Sequence, residues 1–340
     1  MKTGQVTIKD IARELKISPS TVSRALKNHP DISQETKKAV MELANEMDYQ
    51  PNIIALSLRK RKTNTIGLII PKIVHHFFST IISGIEDIAY AEGYNVIITQ
   101  SDESYQREVD CVFTLVSSRV DGLFMSLSSE TTDYEHLKVL NKRNIPVIFL
   151  DRSCDDIRAS KVLIDDHDGA MLATEHLIQQ GCKTIIHLAA PETMQIAKER
   201  RQGFVDALKK HNLPTSEQAI YYSDNLEAGY KVVKELLAKD FQFDGVFAVN
   251  DETAIGAMRA LKEAGKRIPQ DVAVVGFGDN PICEIVEPGL TSIRQPGFEM
   301  GQIAAQIFIK QAVLVDKKEE YETEIKILKT TLITRSSSSR

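Results

Sequence analysis

From Thr65 onward this 340-residue chain repeats one unit: a short continuous apolar run, a stretch with helical spacing, then another apolar run. Ile66-Gly67-Leu68-Ile69-Ile70 reads as a buried strand, followed by a helix over 77–92, a strand over 94–99, a helix over 105–118 and a strand over 122–127. A helix around Leu137 leads to the strand Val147-Ile148-Phe149-Leu150. The alternation then starts afresh, with strands near Val162 and over 184–188, 219–222, 245–249 and 272–276. Strands that are apolar throughout, separated by helices, belong to parallel sheets covered on both faces. Two such units in tandem predict a bilobed α/β body with a cleft between two parallel-sheet subdomains, because open α/β sheets bind ligands beyond the carboxyl ends of their strands. A helix over 298–315 and a strand over 324–332 complete the body, and the serine-rich stretch 336–340 reads as a disordered tail.

The first sixty-two residues obey a different rule. They carry twelve Lys and Arg against seven Asp and Glu, a net charge of +5 in a chain whose total is −5. A basic head on an acidic body predicts that only the head meets a polyanion. The head reads as short helices. Thr7-Ile8-Lys9-Asp10 is a capping pattern, after which Ile8, Ile11, Ala12 and Leu15 share one face. Ser18 caps the next helix with Pro19 in its first position, and Val22, Ala25 and Leu26 point inward. Ser33 caps a third, with Val40, Leu43, Ala44 and Met47 inward. Two short helices joined by a tight turn, the second presenting Pro19, Ser20, Thr21 and Arg24 outward, form a helix-turn-helix. Hydroxyls and backbone N–H groups bond phosphates, and an arginine reaches a guanine edge bidentately. On pattern alone a three-helix protein-binding fragment is the alternative. The segment 52–58 is apolar on several faces yet has no core of its own, and the basic run Arg59-Lys60-Arg61-Lys62 follows it.

Three stretches of the head, Val6-Thr7-Ile8-Lys9-Asp10-Ile11-Ala12, Ser18-Pro19-Ser20-Thr21-Val22-Ser23-Arg24-Ala25-Leu26 and Tyr49-Gln50-Pro51-Asn52, closely resemble the head of the lac/purine repressor (LacI/GalR) family. The resemblance continues through the body to Leu332-Ile333-Thr334-Arg335-Ser336. It implies a head over 1–50, a hinge helix and linker over 51–62, and an effector-binding and dimerisation body over 63–340. Within the body, the expected subdomains are 63–161 with 290–320, and 162–289 with 321–335. Thr7, Ser18, Pro19, Ser20, Thr21 and Arg24 become the implied DNA contacts, together with Asn52, Ala55, Leu58 and Arg59 of the hinge. The hinge helices of two subunits would fold on the DNA, with Leu58 wedging into a minor-groove base step, as apolar side chains that kink DNA do. In the cleft the resemblance assigns the effector to Phe77 and Phe78 after the first strand, Asp151 at the end of the strand at Leu150, and Asn250 beside Asp251. It adds Arg200, in the pattern Arg200-Arg201-Gln202-Gly203-Phe204. The chain departs from the family at Gly276-Phe277-Gly278-Asp279, where many members place an acid at the position of Gly278. Asp279 and Asp224 are the acids expected to take over that contact.

Other function classes lose ground on the same residues. No apolar run reaches the ~18–20 residues of a membrane span, and the first ten residues contain no secretory signal, so a cytoplasmic location is expected. Cys111, Cys154, Cys182 and Cys283 lack paired spacing and read as free thiols. Gly276 and Gly278 are a lone pair, not a dinucleotide fingerprint. Asp165-Asp166-His167-Asp168 reads as a helix start capped by Asp168, His75-His76 as surface or cleft rim, Asp251 as a helix N-cap and Arg201 as a solvated surface charge. No nucleophile, base and orienter combine, so neither catalysis nor a cofactor is expected. The reading is a homodimeric, allosteric repressor with two partners. One is a palindromic double-stranded DNA operator; the other is a small effector, a sugar or sugar derivative first and a nucleobase or nucleoside second. The absence of a heptad run after Arg335 favours the dimer. A sugar-binding component of a transport system is the alternative, and it leaves the head unexplained.

Overall fold

A computed structural model describes residues 6–49, 62–215 and 219–340, which fall into two compact units, Met1–Thr63 and Asn64–Arg340. The first unit is built from α1 (Ile8–Glu14), α2 (Pro19–Leu26) and α3 (Gln34–Glu46). Its local chemistry starts each helix. The Asp10 carboxylate accepts from the N–H and the hydroxyl of Thr7 at 3.0 and 2.7 Å. Ser18 Oγ accepts from Thr21 N–H at 3.1 Å and Ser33 Oγ from Thr36 N–H at 3.2 Å. Lys16 ends α1 in the left-handed region (φ +54°), and Ile17 N–H then reaches back to Ala12 O at 3.0 Å. The resulting tight turn lets Ile11, Val22 and Val40, all fully buried, meet in one small core.

In the second unit the first sheet runs in the order β11-β5-β4-β3-β1-β2. Its strands are β1 (Thr65–Ile70), β2 (Asn95–Gln100), β3 (Gly122–Met125), β4 (Val147–Leu150), β5 (Ser160–Ile164) and β11 (Ile325–Leu328), all parallel. Helices α4 (His76–Ala91), α5 (Tyr105–Ser117) and α12 (Gly297–Lys317) cover it, with α6 (Lys138–Lys142) leading into β4. A Cβ on Gly301 of α12 would lie 2.2 Å from Ile81 O of α4, so only glycine lets these two helices approach this closely.

The second sheet, β12-β10-β9-β8-β6-β7, contains β6 (Ile185–Ala189), β7 (Ile220–Tyr222), β8 (Gly245–Ala248), β9 (Ala273–Gly278), β10 (Thr291–Arg294) and β12 (Thr331–Ile333). It is parallel except for β12, which pairs antiparallel with β10. Its helices are α7 (Asp166–Gln179), α8 (Gln195–Lys210), α9 (Leu226–Ala238) and α10 (Asp251–Glu263), with the short α11 (Ile282–Ile285) between β9 and β10.

Three chain assignments differ from the subdomain limits expected above. β5 belongs to the first sheet, where Val162 stands opposite Leu150. β4 and β5 are joined by a loop without a helix, so the alternation restarts one strand before the chain changes lobe. β10 belongs to the second sheet, beside β9. The expected strand over 324–332 is two strands, β11 and β12, in different sheets.

The tail is ordered, which corrects the reading of 336–340 as disordered. Ser337 is fully buried: its N–H donates to Gly289 O at 2.8 Å and its carbonyl accepts from Val274 N–H at 2.9 Å. Its hydroxyl donates to Val274 O at 2.6 Å and accepts from Thr291 N–H at 2.8 Å. Ser338 Oγ lies 2.7 Å from His176 Nε2, and the Arg340 guanidinium donates to Asp244 O at 2.7 Å. Serine-rich composition reads as disorder because it offers little to bury; here the hydroxyls satisfy buried backbone groups. Deleting residues 336–340 leaves several of those groups unpaired, at about 1–3 kcal/mol each. The expected loss is therefore at least about 2 kcal/mol of unfolding free energy by guanidinium denaturation. The chain has no tryptophan, so far-UV circular dichroism is the readout. An unchanged midpoint contradicts this account of the tail.

Candidate functional site

In the first unit α2 presents Pro19, Ser20 and Arg24 to solvent, with Thr21 half-buried and Val22 and Ala25 turned inward. The Ser18 hydroxyl lies 2.6 Å from Ser20 Oγ and 2.8 Å from Thr21 Oγ1, so three hydroxyls cluster at the start of α2. Thr7 is exposed at the start of α1. An exposed hydroxyl-rich helix start with an arginine one turn on is an arrangement that bonds phosphates and reaches a base edge. Asn52, Ala55, Leu58 and Arg59 lie outside the described residues.

In the second unit a cavity of about 320 Å3 opens between the two sheets. It brings together Phe77, Phe78, Asp151, Arg200, Asp224 and Asn250 of the expected effector set. Phe77 and Phe78 come from the first turn of α4, their rings 5.4 Å apart; Phe78 is buried and Phe77 half-buried. Asp151 follows β4 in the left-handed region (φ +64°), an uncommon conformation that concentrates at functional sites. It is buried, its Oδ1 has no hydrogen-bond partner among the described residues, and Arg152 Nε stands 3.7 Å from Oδ2. Burial pushes its carboxyl above the usual range, against the pull of Arg152 and Arg200.

Arg200, on α8, is the centre of the second lobe's share of the cleft. Its Nε donates to Asp166 Oδ1 and its Nη1 to Val249 O, both at 2.7 Å, and its guanidinium lies 3.7 Å from the centre of the Phe277 ring. Burial pushes the Asp166 carboxyl up to about 7, although Arg200 draws it down. Asn250 caps α10, accepting from Thr253 N–H at 2.8 Å, and its amide donates to Asp224 O at 2.7 Å. Asp251, expected as the cap, is instead the first residue of α10; its buried carboxylate accepts from Asn280 N–H at 2.8 Å and from the Ser292 hydroxyl. His75 of the first lobe reaches Glu252 of the second at 3.4 Å across the rim.

Asp279 does not join the cleft. Gly278 (φ +132°) and Asp279 (φ +53°) both take left-handed backbone at the end of β9. The Asp279 carboxylate pairs with Arg294 and Arg335, each at 2.7 Å, and is almost fully buried there. The acid displaced by Gly278 is therefore not recovered by its neighbour. Asp165, not Asp168, caps α7 by accepting from Asp168 N–H at 2.9 Å. Arg201, expected as a solvated surface charge, is half-buried and pairs with Glu192 at 2.8 Å. Among the described residues no group of three or more His, Cys, Asp or Glu side chains is placed to hold a metal, and the four cysteines are free thiols.

Sequence reasoning missed Asp166, Arg152 and Phe277 as cleft residues. Arg152 and Asp166 follow strands, and Phe277 lies one residue before the end of β9, positions where α/β folds place ligand contacts. That positional rule was the available signal. The Arg200–Asp166 pair is at least nine-tenths buried on both sides. Removing one partner strands the other charge, so Arg200→Ala is expected to cost about 3–5 kcal/mol of stability. The double variant Arg200→Met/Asp166→Leu, which leaves no stranded charge, should recover most of that in urea denaturation. An Arg200→Ala protein within 1 kcal/mol of wild type contradicts the pair's structural role.

Comparison with known proteins follows the same division. A family model described as "Bacterial regulatory proteins, lacI family" matches residues 7–52, and one described as "Periplasmic binding protein-like domain" matches 174–338. The ribose operon repressor of Halalkalibacterium halodurans is 34% identical over 321 residues, 94% of each chain. The crystal structure of a LacI family transcriptional regulator from Enterococcus faecium with bound ribose is 33% identical, with a TM-score of 0.72 over 81% of this chain and 98% of that one. The lac repressor dimer bound to operator and the anti-inducer ONPF is 25% identical, with a TM-score of 0.85 over 99% of this chain and 100% of that one. No described helix is long and apolar enough to cross a membrane.

Proposed function

The chain belongs to the LacI family of bacterial regulatory proteins, and from that premise we propose that it is a cytoplasmic, non-enzymatic repressor. In this reading it binds a palindromic operator as a homodimer and a neutral sugar between its lobes. The observation that carries the proposal is the pairing, in one chain, of an exposed hydroxyl-and-arginine helix on a basic head with a polar, aromatic-walled cleft in an acidic body. A transport component has no use for the head.

On the DNA side, Thr7, Ser18, Pro19, Ser20 and Thr21 position the head on phosphates and Arg24 reads a base. Among the described residues the Arg24 guanidinium is exposed and has no hydrogen bond or ion pair. Asn52, Ala55, Leu58 and Arg59 are assigned to the minor groove on family resemblance. Two-fold symmetry in the protein is matched by two-fold symmetry in the operator.

On the effector side, Phe77 or Phe78 lies against an apolar sugar face, while Asp151, Asp224, Asn250 and Arg200 bond hydroxyls. Asp279 drops out, because its carboxylate is occupied by two arginines. The walls carry Glu103, Asp151, Asp224, Asp251 and Glu252 against Lys72, Arg152 and Arg200, an excess of acid that repels a phosphate and admits a neutral polyol. The ribose repressor among the relatives and the ribose-bound solved structure support a sugar over a nucleobase.

The DNA-binding half is tested by fluorescence anisotropy on the DNA upstream of the protein's own gene. Arg24→Ala is expected to lose about 1–3 kcal/mol on that DNA and much less on random sequence. Lys9→Ala should weaken both alike and lower the salt slope by about 1. Equal losses for Arg24→Ala on the two DNAs contradict the base contact.

A further inference from the structure

The first sheet ends at β11, whose outer edge has no partner strand among the described residues. Along a strand the N–H and C=O of one residue point to the same side, and successive residues alternate. Glu324 O accepts from Lys161 N–H at 2.8 Å and Leu328 O from Asp165 N–H at 3.0 Å, so Glu324, Lys326 and Leu328 turn their backbone groups toward β5. Thr323, Ile325 and Ile327 turn theirs outward. The side chains of Ile325 and Ile327 share one face of the strand and are 61% and 63% exposed. Leu328, on the other face, packs against the core. An open edge with exposed apolar side chains is a template for another strand.

The order of residues along the edge favours one partner, the same strand turned around. In an antiparallel ladder, outward-facing residues opposite each other exchange both backbone hydrogen bonds. A two-fold axis through Ile325 sets that residue opposite its own copy, and Ile327 opposite Thr323 of the other chain, twice. The pairs on this face are β-branched, the kind that stabilises a sheet. On the other face Glu324 of each chain stands opposite Lys326 of the other. Within one chain these two side chains are 3.2 Å apart and half in solvent, with Lys326 50% and Glu324 34% exposed. Pairing two copies turns one exposed ion pair into a four-charge cluster of alternating sign, with opposite charges directly across the strands. A shift by one residue sets outward backbone groups against inward ones and destroys the ladder.

We propose that β11 is a self-association edge, through which one copy of the chain pairs antiparallel with another and joins two homodimers. The edge is short. Standard interfaces use roughly 20–30 residues a side, and β11 offers far fewer, so the joined state forms as concentration rises through the micromolar range. Each homodimer carries two such edges, and two dimers held on neighbouring DNA sites meet at a high effective concentration. The joined pair has four heads, enough for two operators. The count of four rests on the homodimer reading above; the pairing of the edges does not.

The test is sedimentation velocity of the full-length protein from low to several hundred micromolar, with circular dichroism melts to show that each variant is folded. The wild type is expected to pass from dimer to tetramer. Glu324→Lys sets lysine against lysine, and Lys326→Glu sets acid against acid; each should weaken the joining at least tenfold. Mixing the two single variants restores opposite charges across the axis, so the mixture should assemble like wild type. The double variant Glu324→Lys/Lys326→Glu should do so on its own. Ile325→Lys, at an exposed position on the axis, should abolish the joining with the thermal midpoint preserved. A wild type that remains a dimer at every concentration overturns the proposal. So does a tetramer indifferent to Glu324→Lys, or a mixture of the two single variants that fails to assemble. If dilute protein is a monomer, the homodimer reading falls, and the mixing experiment still decides whether the edges pair.

Discussion

The body depends on the chain passing between its two sheets three times. It leaves the first sheet after β5, returns after β10, and splits its last strands between the sheets at β11 and β12. Neither sheet is complete without a segment contributed from the far side of the other. β5 and β11 pair only with each other and β4, and β12 holds β10 antiparallel, so these late-closing pairs complete each lobe. Hinge closure about such crossing segments is one way two lobes close around a ligand. The connection also puts crossing residues in the ligand's path: Asp166 begins the helix after the first crossing, and Gln295 stands at the second.

The cleft's electrostatics follow from that arrangement. Burying charges is expensive unless they are paired and hydrogen-bonded. Arg200 is held by Asp166 and by the Val249 carbonyl, over the Phe277 ring. Asp251 is held by the Asn280 N–H and the Ser292 hydroxyl. These contacts fix polar groups before any ligand arrives, which lowers the ordering cost of binding. Asp151 is the exception, a buried carboxylate on the opposite lobe with one oxygen unpaired. A molecule that bonds Asp151 on one side and Arg200 or Asn250 on the other holds the lobes in one pose. Only a ligand with such different affinities for two poses shifts the equilibrium between them.

Much of this was legible in the sequence, and the rest was hidden for specific reasons. Ser18 and Ser33 could be read as caps because capping depends on residues a few positions apart. The apolar strands were legible because burial on both faces leaves a continuous run. The sheet to which β5, β10 or β11 belongs was not legible, because pairing is set by spatial neighbours and each of these strands is too short to carry a partner's signature. Asp279 misled because its one-place shift from Gly278 looks small in the sequence, yet two consecutive left-handed residues send the carboxylate to Arg294 and Arg335. Asp166 looked like part of an acidic helix start; its burial against Arg200 depends on a residue thirty-four positions away. The tail was misread because composition reports the cost of ordering serines and not the buried carbonyls and N–H groups waiting for them.

The central claim is that a small molecule held across the lobes changes the head's hold on DNA. Binding linkage makes that claim quantitative: if the effector alters DNA affinity by some factor, DNA must alter effector affinity by the same factor. The most direct test measures both on the intact protein, by anisotropy of labelled upstream DNA with and without saturating carbohydrate, and by calorimetry of the carbohydrate with and without saturating DNA. The account predicts two equal factors, in the range of about 5–150-fold typical of allosteric coupling. A carbohydrate that binds the cleft and leaves DNA affinity unchanged would contradict it.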